Sequence, residues 1–406
     1  MKRLDDCYNF LDFRAAARQR LPDALFQYID GGADDETTMA ANTAAFDRYQ
    51  LVPRYLQDIR QVDLRRTVFG CPLDWPVLLS PTGMTRVFHP AGETAVAREA
   101  ERAGIGYALS TMATTSIEAV AAASRAPRLY QLYLFNDDAL NFEMIDRCKA
   151  AGYDVLCLTV DTVVAGNRER DLRCGLTVPP RLGRRNLLGF ALRPAWCWRY
   201  LAGGGIALPN LPSRDGRRGI GSLAGFFATS MERNITWARV ERLMRHWGKP
   251  FVIKGLQSVQ DAREAAAAGV AGIIVSNHGG RQLDGVPATV DLVADLVDAV
   301  GDRLEVVVDG GVRRGTHVVK ALAMGARACM IGRPYLYGLA AFGAPGVRRV
   351  LSLLRQETER AIALLGCTGV DELARHHIVA AGRLPDFLAR PAKAGGPSPQ
   401  LVRSAH

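Results

Sequence analysis

No run of about 18 consecutive uncharged apolar residues occurs in the 406-residue sequence, so a membrane-spanning helix is not expected, whereas attachment to a membrane surface stays open. The opening MKRLDDCYNFLDF turns acidic within its first residues and lacks the apolar stretch of a secretory leader, so no export signal is expected. No Cys-x-x-Cys pair is present. The eight cysteines (Cys7, Cys71, Cys148, Cys157, Cys174, Cys197, Cys329 and Cys367) are scattered, several within apolar runs, and read as reduced thiols of a cytoplasmic protein rather than a disulfide frame or zinc site. Disorder-prone composition is absent except at the ends. With 48% hydrophobic and 23% charged residues the chain has ample material for a large core, and its length allows either several average domains or one α/β barrel with insertions.

What is present is a set of eight short apolar runs, rich in β-branched residues: 75–80, 105–110, 128–133, 155–160, 251–254, 272–276, 304–309 and 328–331. Helix-like segments such as 92–104, 258–269 and 316–325 separate most of them. Continuous apolar strands alternating with helices imply a parallel sheet, and eight such units close into a (β/α)8 TIM barrel; a doubly wound open sheet is the competing arrangement. Nearly every run hands over to a polar residue at its C-terminal end: Ser80, Ser110, Gln131 and Tyr133, Thr159 and Asp161, Lys254, Ser276 to His278, Asp309, and Gly332 with Arg333. In a barrel those ends share one mouth, where active sites sit. Residues 1–380 read as one barrel domain, with 1–70 an N-terminal helical segment that breaks at YIDGGADDE (28–36), 345–380 closing helices, 175–235 an insertion between strands four and five, and 391–406 a disordered tail.

The densest chemical signal is SNHGGRQLD (276–284), where His278 follows a strand beside two glycines and Arg281 offers a planar fork for a carboxylate. DGGVRRG (309–315) and IGRP (331–334) each join free glycine N–H groups to an arginine and a helix start, at the two loops where barrels bind phosphate. Lys254 can serve as a Schiff-base nucleophile, a salt-bridge partner or a fixed cation beside a cofactor gaining negative charge; the phosphate cradle favours the third. An aspartate beside a histidine raises its basicity and fixes its ring, which suits Asp161 as partner of His278.

With LP-x₅-YIDGGADDE (21–36), LSPTGM (79–84), QLY (131–133), LTVDT (158–162), RERD (168–171), VIKG (252–255), SNHGGRQLDG (276–285), DGGVRRG and IGRP, the chain resembles the FMN-dependent 2-hydroxy-acid oxidase and dehydrogenase family over residues 5 to about 380. That family includes glycolate oxidase, L-lactate dehydrogenase and mandelate dehydrogenase. The resemblance implies FMN as cofactor. Pro81, Thr82 and Gly83 would back the flavin; Ser110, Gln131, Thr159, Lys254 and Ser276 would surround its ring; Asp309, Gly311, Arg313, Gly332 and Arg333 would take the ribityl chain and phosphate. It also implies a carboxylate held by Tyr28, Arg168 and Arg281, a hydroxyl held by Tyr133, and a proton taken by His278 with Asp161. The proton leaves either the hydroxyl or Cα, and both routes end at the 2-keto acid. Met112 and Ala165 would line the substrate's side-chain pocket, with room from lactate to mandelate-like acids.

The net charge of +10 comes from 51 Lys+Arg against 41 Asp+Glu. Between 181 and 218 eight arginines stand against the single acid Asp215, interleaved with Phe190, Trp196, Trp198 and Tyr200, a pattern suited to an anionic membrane surface or else to a solvated loop. Nucleic acid is not expected as a partner, because the basic excess is confined to one insertion of an enzyme barrel. NRERDL (167–172) and RPAWCW (193–198) resemble the membrane-bound mandelate dehydrogenases, and Gly83 stands where the family's oxidases carry alanine and its dehydrogenases glycine. The implied enzyme is a homotetramer, peripheral on the cytoplasmic face of the cell membrane, passing electrons to quinone. The alternatives are a soluble oxidase making hydrogen peroxide, an enzyme oxidising a peptide-derived precursor, and a catalytically silent FMN-binding membrane scaffold. Intact His278, Arg281, Arg168 and Tyr28 weigh against the last.

Overall fold

Each of the eight apolar runs forms a strand in the computed structural model, which describes residues 2–175, 184–202, 207–211 and 230–381. Among the described residues the strands in chain order are β1 Tyr49–Leu51, β2 Arg66–Val68, β3 Cys71–Leu73, β4 Val77–Leu79, β5 Gly106–Ser110, β6 Arg128–Leu132, β7 Val155–Thr159, β8 Phe251–Leu256, β9 Gly272–Ser276, β10 Glu305–Asp309, β11 Ala328–Ile331 and β12 Ile378–Ala380. Strands β4 to β11 pair in parallel in sequence order, and β11 returns to β4 through Cys329↔Val77 and Ile331↔Leu79, closing the barrel. The open-sheet alternative is thereby excluded.

Strand pleating sorts the barrel residues into two layers, because successive side chains point to opposite faces. Leu78, Ala108, Leu129, Val155, Cys157, Val252, Ile274, Val307, Ala328 and Met330 form the inner cluster. Their neighbours, such as Leu79, Leu109, Leu156, Ile253, Ile273 and Val308, pack outward against the helices. The inner cluster also includes Val68, Phe69, Cys71 and Leu73, so the β2–β3 hairpin packs against the barrel's interior residues. With this packing and the strand ends beyond it carrying the polar residues, the barrel is a filled core with a chemical mouth.

The N-terminal segment is helical only as far as Arg48, through Phe10–Arg20, Asp23–Asp30, Thr37–Ala44 and a 3-10 turn. Beyond it the expectation of helix to residue 70 gives way to the short strands β1 and β2. A three-residue strand is specified by its partner rather than by local periodicity. β1 pairs antiparallel with β12 through Tyr49↔Ala380 and Leu51↔Ile378, so the expected closing helices end in a strand as well, after the helix Ala344–Leu365. Hydrogen bonds from Val52 N to His377 O (2.9 Å) and from Ala381 N to Arg48 O (2.7 Å) extend this clasp.

Within the insertion the described residues form the helices Arg184–Ala191 and Pro194–Ala202. Arg181, Arg214, Arg217 and Arg218, and the tail 391–406, lie outside the described residues. None of the eight cysteines forms a disulfide. Among the described residues no group of His, Cys, Asp and Glu is arranged to hold a metal, and no helix is long and apolar enough to cross a membrane.

Candidate active site

His278 lies two residues beyond the end of β9 with φ +57°, a left-handed conformation that side-chain-bearing residues seldom adopt. Its backbone N–H donates to Ser276 Oγ at 3.1 Å, which holds that turn. The imidazole Nδ1 is 3.1 and 3.3 Å from the two carboxylate oxygens of Asp161, two residues beyond the end of β7. A carboxylate there holds the proton on Nδ1 and leaves Nε2 as the acceptor. Nε2 faces Tyr133 Oη at 3.5 Å. Burial, and then Asp161, push the Tyr133 phenol far above its ordinary range, so it remains a donor.

Two guanidinium groups line the same cavity as His278. Arg281 lies 4.9 Å and Arg168 5.6 Å from the centre of the Tyr28 ring. Arg281 Nη1 donates to Tyr28 O (2.6 Å) and Gly31 O (3.0 Å), which ties the N-terminal segment to the barrel mouth. Burial and the nearby Arg168 push Arg281 down to about 10, a free-energy penalty that an anion between the two cations would relieve. Asp171, absent from the sequence expectations, lies 3.6 Å from Arg168 Nε, one helical turn on. Burial raises its carboxyl while Arg281 and Arg168 draw it down. Arg170, between them in sequence, instead pairs with Asp30 at 3.1 Å and with Glu36.

The strand ends on the other side carry a buried polar network. Lys254 Nζ is 2.8 Å from Ser276 Oγ and 2.8 Å from Asp309 Oδ2, and Ser80 Oγ donates to Asp309 Oδ1 at 2.8 Å. Against the opposing pull of burial, Asp309 keeps Lys254 above its ordinary range and Lys254 keeps Asp309 below its own. A register shift between Lys254 and Leu256 interrupts the pairing of β8 with β9 at this point, as bulges beside functional sites do. Ser110 Oγ donates to Gln131 Oε1 at 2.9 Å, yet Gln131 Nε2 and Thr159 Oγ1 are buried with no partner. Orphaned polar atoms of this kind cost about 1–3 kcal/mol each, and two of them at strand ends beside a buried ammonium fit a planar ring with polar edges.

The phosphate candidates sit at the ends of β10 and β11. Gly311 has φ +73°, and a Cβ there would lie 1.8 Å from Asn42 O, so no other residue fits. Arg313 is stacked 4.6 Å from the centre of the Phe10 ring, donates to Val312 O at 2.8 Å, and is lowered by burial. Gly332 caps the start of the helix Arg333–Phe342. Arg333 directs its donors to Ile29 O (3.0 Å), Gly279 O (2.9 Å) and Gly31 O (2.8 Å), so its present partners are backbone carbonyls of the loop after β9 and of the N-terminal segment.

One cavity of about 660 Å³ joins these parts. Tyr28, Pro81, Thr82, Gly83, Ser110, Met112, Tyr133, Ala165, Arg168, Lys254, His278, Arg281, Asp309, Gly311, Arg313, Gly332 and Arg333 line it; Gln131, Ser276 and Asp161 are hydrogen-bonded to lining residues and Thr159 is paired with Lys254 across the strands. Leu208, Met231 and Arg233, from the last part of the insertion, also line it. No local pattern marks those three, since a loop's return to the mouth is a tertiary fact.

A family model described as FMN-dependent dehydrogenase matches residues 17–380. Glycolate oxidase 1 of Oryza sativa subsp. indica is 39% identical, over 94% of this chain and 98% of that protein. An L-lactate oxidase of Nostoc sp. is 40% identical, over 92% of this chain and 98% of its own. Among solved structures, that of the monotopic membrane protein (S)-mandelate dehydrogenase superposes with a TM-score of 0.89 at 34% identity, covering 92% of this chain and 100% of the other.

Proposed function

From the premise that this chain belongs to the FMN-dependent dehydrogenase family and oxidises 2-hydroxy acids with FMN, we propose that its substrate is an (S)-2-hydroxy acid of lactate size or larger and that its electrons pass to a membrane quinone. The observation that carries the catalytic part is the placing of His278, backed by Asp161, in one cavity with Arg168, Arg281 and Tyr133. Bound FMN supplies the two-electron sink. Arg168 and Arg281 hold the substrate carboxylate and neutralise it, which makes Cα more willing to release electrons. Tyr133 donates a hydrogen bond to the hydroxyl, and His278 Nε2 takes a proton as the 2-keto acid forms. Asp161 stabilises the imidazolium that results. Gln131, Thr159 and Lys254 hold the flavin ring, with Arg313 and the 311 and 332 turns at the phosphate.

Substrate size rests on the apolar side chains Met112, Val163, Val164, Ala165, Leu208 and Met231 in the cavity lining, which suit an apolar group on Cα. The quinone and membrane readings rest on Gly83 and on the insertion, where Leu188, Leu192, Trp198 and Leu201 are 60–75% exposed. A homo-oligomer on the cytoplasmic face of the membrane goes with this reading. The glycolate and lactate oxidases among its relatives favour a second one, a soluble oxidase releasing hydrogen peroxide.

Anaerobic mixing of the yellow protein with glycolate, lactate and mandelate tests the assignment. Bleaching of the flavin is expected to be faster with lactate or mandelate than with glycolate, and no bleaching with any 2-hydroxy acid would leave a silent scaffold. Reoxidation by oxygen as fast as by a quinone analogue would replace the quinone reading with the oxidase one.

A further inference from the structure

A second cavity, of about 390 Å³, lies between the barrel and the insertion. The first helix contributes Arg20, the short helix Thr85–Phe88 contributes Arg86 and Phe88, and the insertion contributes Arg193 and Arg199. Among the described residues four arginines line it and no carboxylate does. Arg20 Nη2 donates to Lys2 O at 2.8 Å and Arg193 Nε to Leu21 O at 3.2 Å, contacts that fix the guanidinium groups without cancelling their charge. Nearby, burial first and Arg199 second push His89 down to about 4. Like charges gathered in a concave, partly desolvated place raise the free energy of the free protein, and an anion removes that cost.

The rest of the wall is aromatic and apolar. Trp196 Nε1 donates to Val87 O at 3.0 Å, its ring stacked on Tyr200 at 5.0 Å between centroids. Leu192 lines the cavity while 62% exposed, and Trp198 and Leu201 are 74% and 75% exposed on the same helix as Trp196. A small inorganic anion would use the cations and leave this apolar border unused. An amphiphile with an anionic head uses both.

We propose that this cavity binds the phosphate head of an acidic phospholipid, with Arg193 and Arg199 on the phosphate and the acyl chains running out over Leu192 and Trp198. The proposal rests on the membrane reading of the insertion and adds to it a defined headgroup site. It is separate from the substrate cavity, with which it shares the wall formed by Val87 and Phe88.

The test uses the FMN-loaded full chain and two doubly substituted variants of equal net charge: Arg193→Gln with Arg199→Gln, and Arg263→Gln with Arg303→Gln at exposed positions elsewhere. Calorimetric titration with dihexanoyl phosphatidylglycerol, soluble as single molecules, should show saturable binding for the wild type and the control. For the Arg193/Arg199 variant it should be weakened about tenfold or more, with flavin bleaching by substrate intact. Equal weakening of both variants, or none in either, overturns the site. Inorganic phosphate bound as tightly as the short lipid overturns the lipid assignment in favour of a free-anion site. Co-sedimentation with phosphatidylglycerol/phosphatidylcholine vesicles is read separately: a wild type that binds the short lipid in this way but does not sediment keeps the site and sinks membrane attachment.

Discussion

Gly83 and Met112 are so close that a Cβ built on residue 83 would lie 2.7 Å from the Cβ of Met112. The two loops are also joined by a hydrogen bond from Met84 N to Met112 O at 2.8 Å. Rotating the Met112 side chain cannot relieve a Cβ–Cβ clash, so alanine at 83 requires the backbone of one loop to move. Gly83→Ala is expected to lower FMN content and raise the KM for substrate, Met112→Ala to leave that defect uncorrected, and Met112→Gly to relieve it. Only the Gly83→Ala/Met112→Gly pair should gain oxygen reactivity. Oxygen uptake in the three combinations checks the order, and full FMN content with unchanged KM in Gly83→Ala alone would refute the clash.

His278→Ala should remove substrate-driven flavin reduction by about 10²-fold or more while the protein stays yellow and folded, because the base acts in chemistry rather than in cofactor retention. Asp161→Asn should also be severe, since an amide N–H facing Nδ1 moves the ring proton to Nε2, where it blocks proton acceptance. Stopped-flow reduction at fixed FMN content measures both, and a rate within tenfold of wild type for His278→Ala would mean that another group is the base.

Arg313 and Arg333 should fail in different ways. Arg313→Ala is expected to lose FMN on desalting with little change in the folding of what remains, as among the described residues its guanidinium contacts Val312 O and the Phe10 ring and no carboxylate. Arg333→Ala removes a charged donor from three backbone carbonyls and should cost about 3 kcal/mol or more, seen as a lower Tm and higher KM together. Identical behaviour of the two variants would show that both serve the phosphate alone.

Acid should destabilise the fold between about pH 6.5 and 4. Burial pushes His89 and His317 each down to about 4 from an ordinary 6.5, so both are neutral in the native state where the unfolded chain is already protonated. Their contribution is complete above pH 6.5 and lost as pH falls toward 4, at up to about 1.4 kcal/mol per pH unit for each. His89→Asn keeps an acceptor for the Ala91 N–H, 3.2 Å from Nδ1 in the native protein, and should flatten that slope in denaturant titrations.

The barrel strands were legible because each is a continuous apolar run ending in a polar residue, the mark of a strand buried on both faces. His278, Arg281 and the two glycine-rich turns could be read because chemistry concentrates within a few residues there. β1, β2, β3 and β12 were not, since three-residue strands carry no period and β1 finds its partner at the far end of the described chain. Asp171 hid in a run of charges where neighbours such as Arg170 face other partners, and position in a helical turn alone separates them. Arg333 was placed at the phosphate by its motif; its contacts to Ile29 and Gly31 depend on an N-terminal segment hundreds of residues away, and that to Gly279 on the loop after β9.

That segment sets a schedule for synthesis. Tyr49–Leu51 leaves the ribosome early and has no partner strand until Ile378–Ala380 follows. At about 5–20 residues per second the interval is roughly 15–65 s. Through that time the helices carrying Tyr28 lack the clasp that fastens them to the finished barrel, and Arg281 and Arg333 have yet to emerge for most of it. The clasp that fastens the Tyr28-bearing segment is therefore among the last contacts a nascent chain can make.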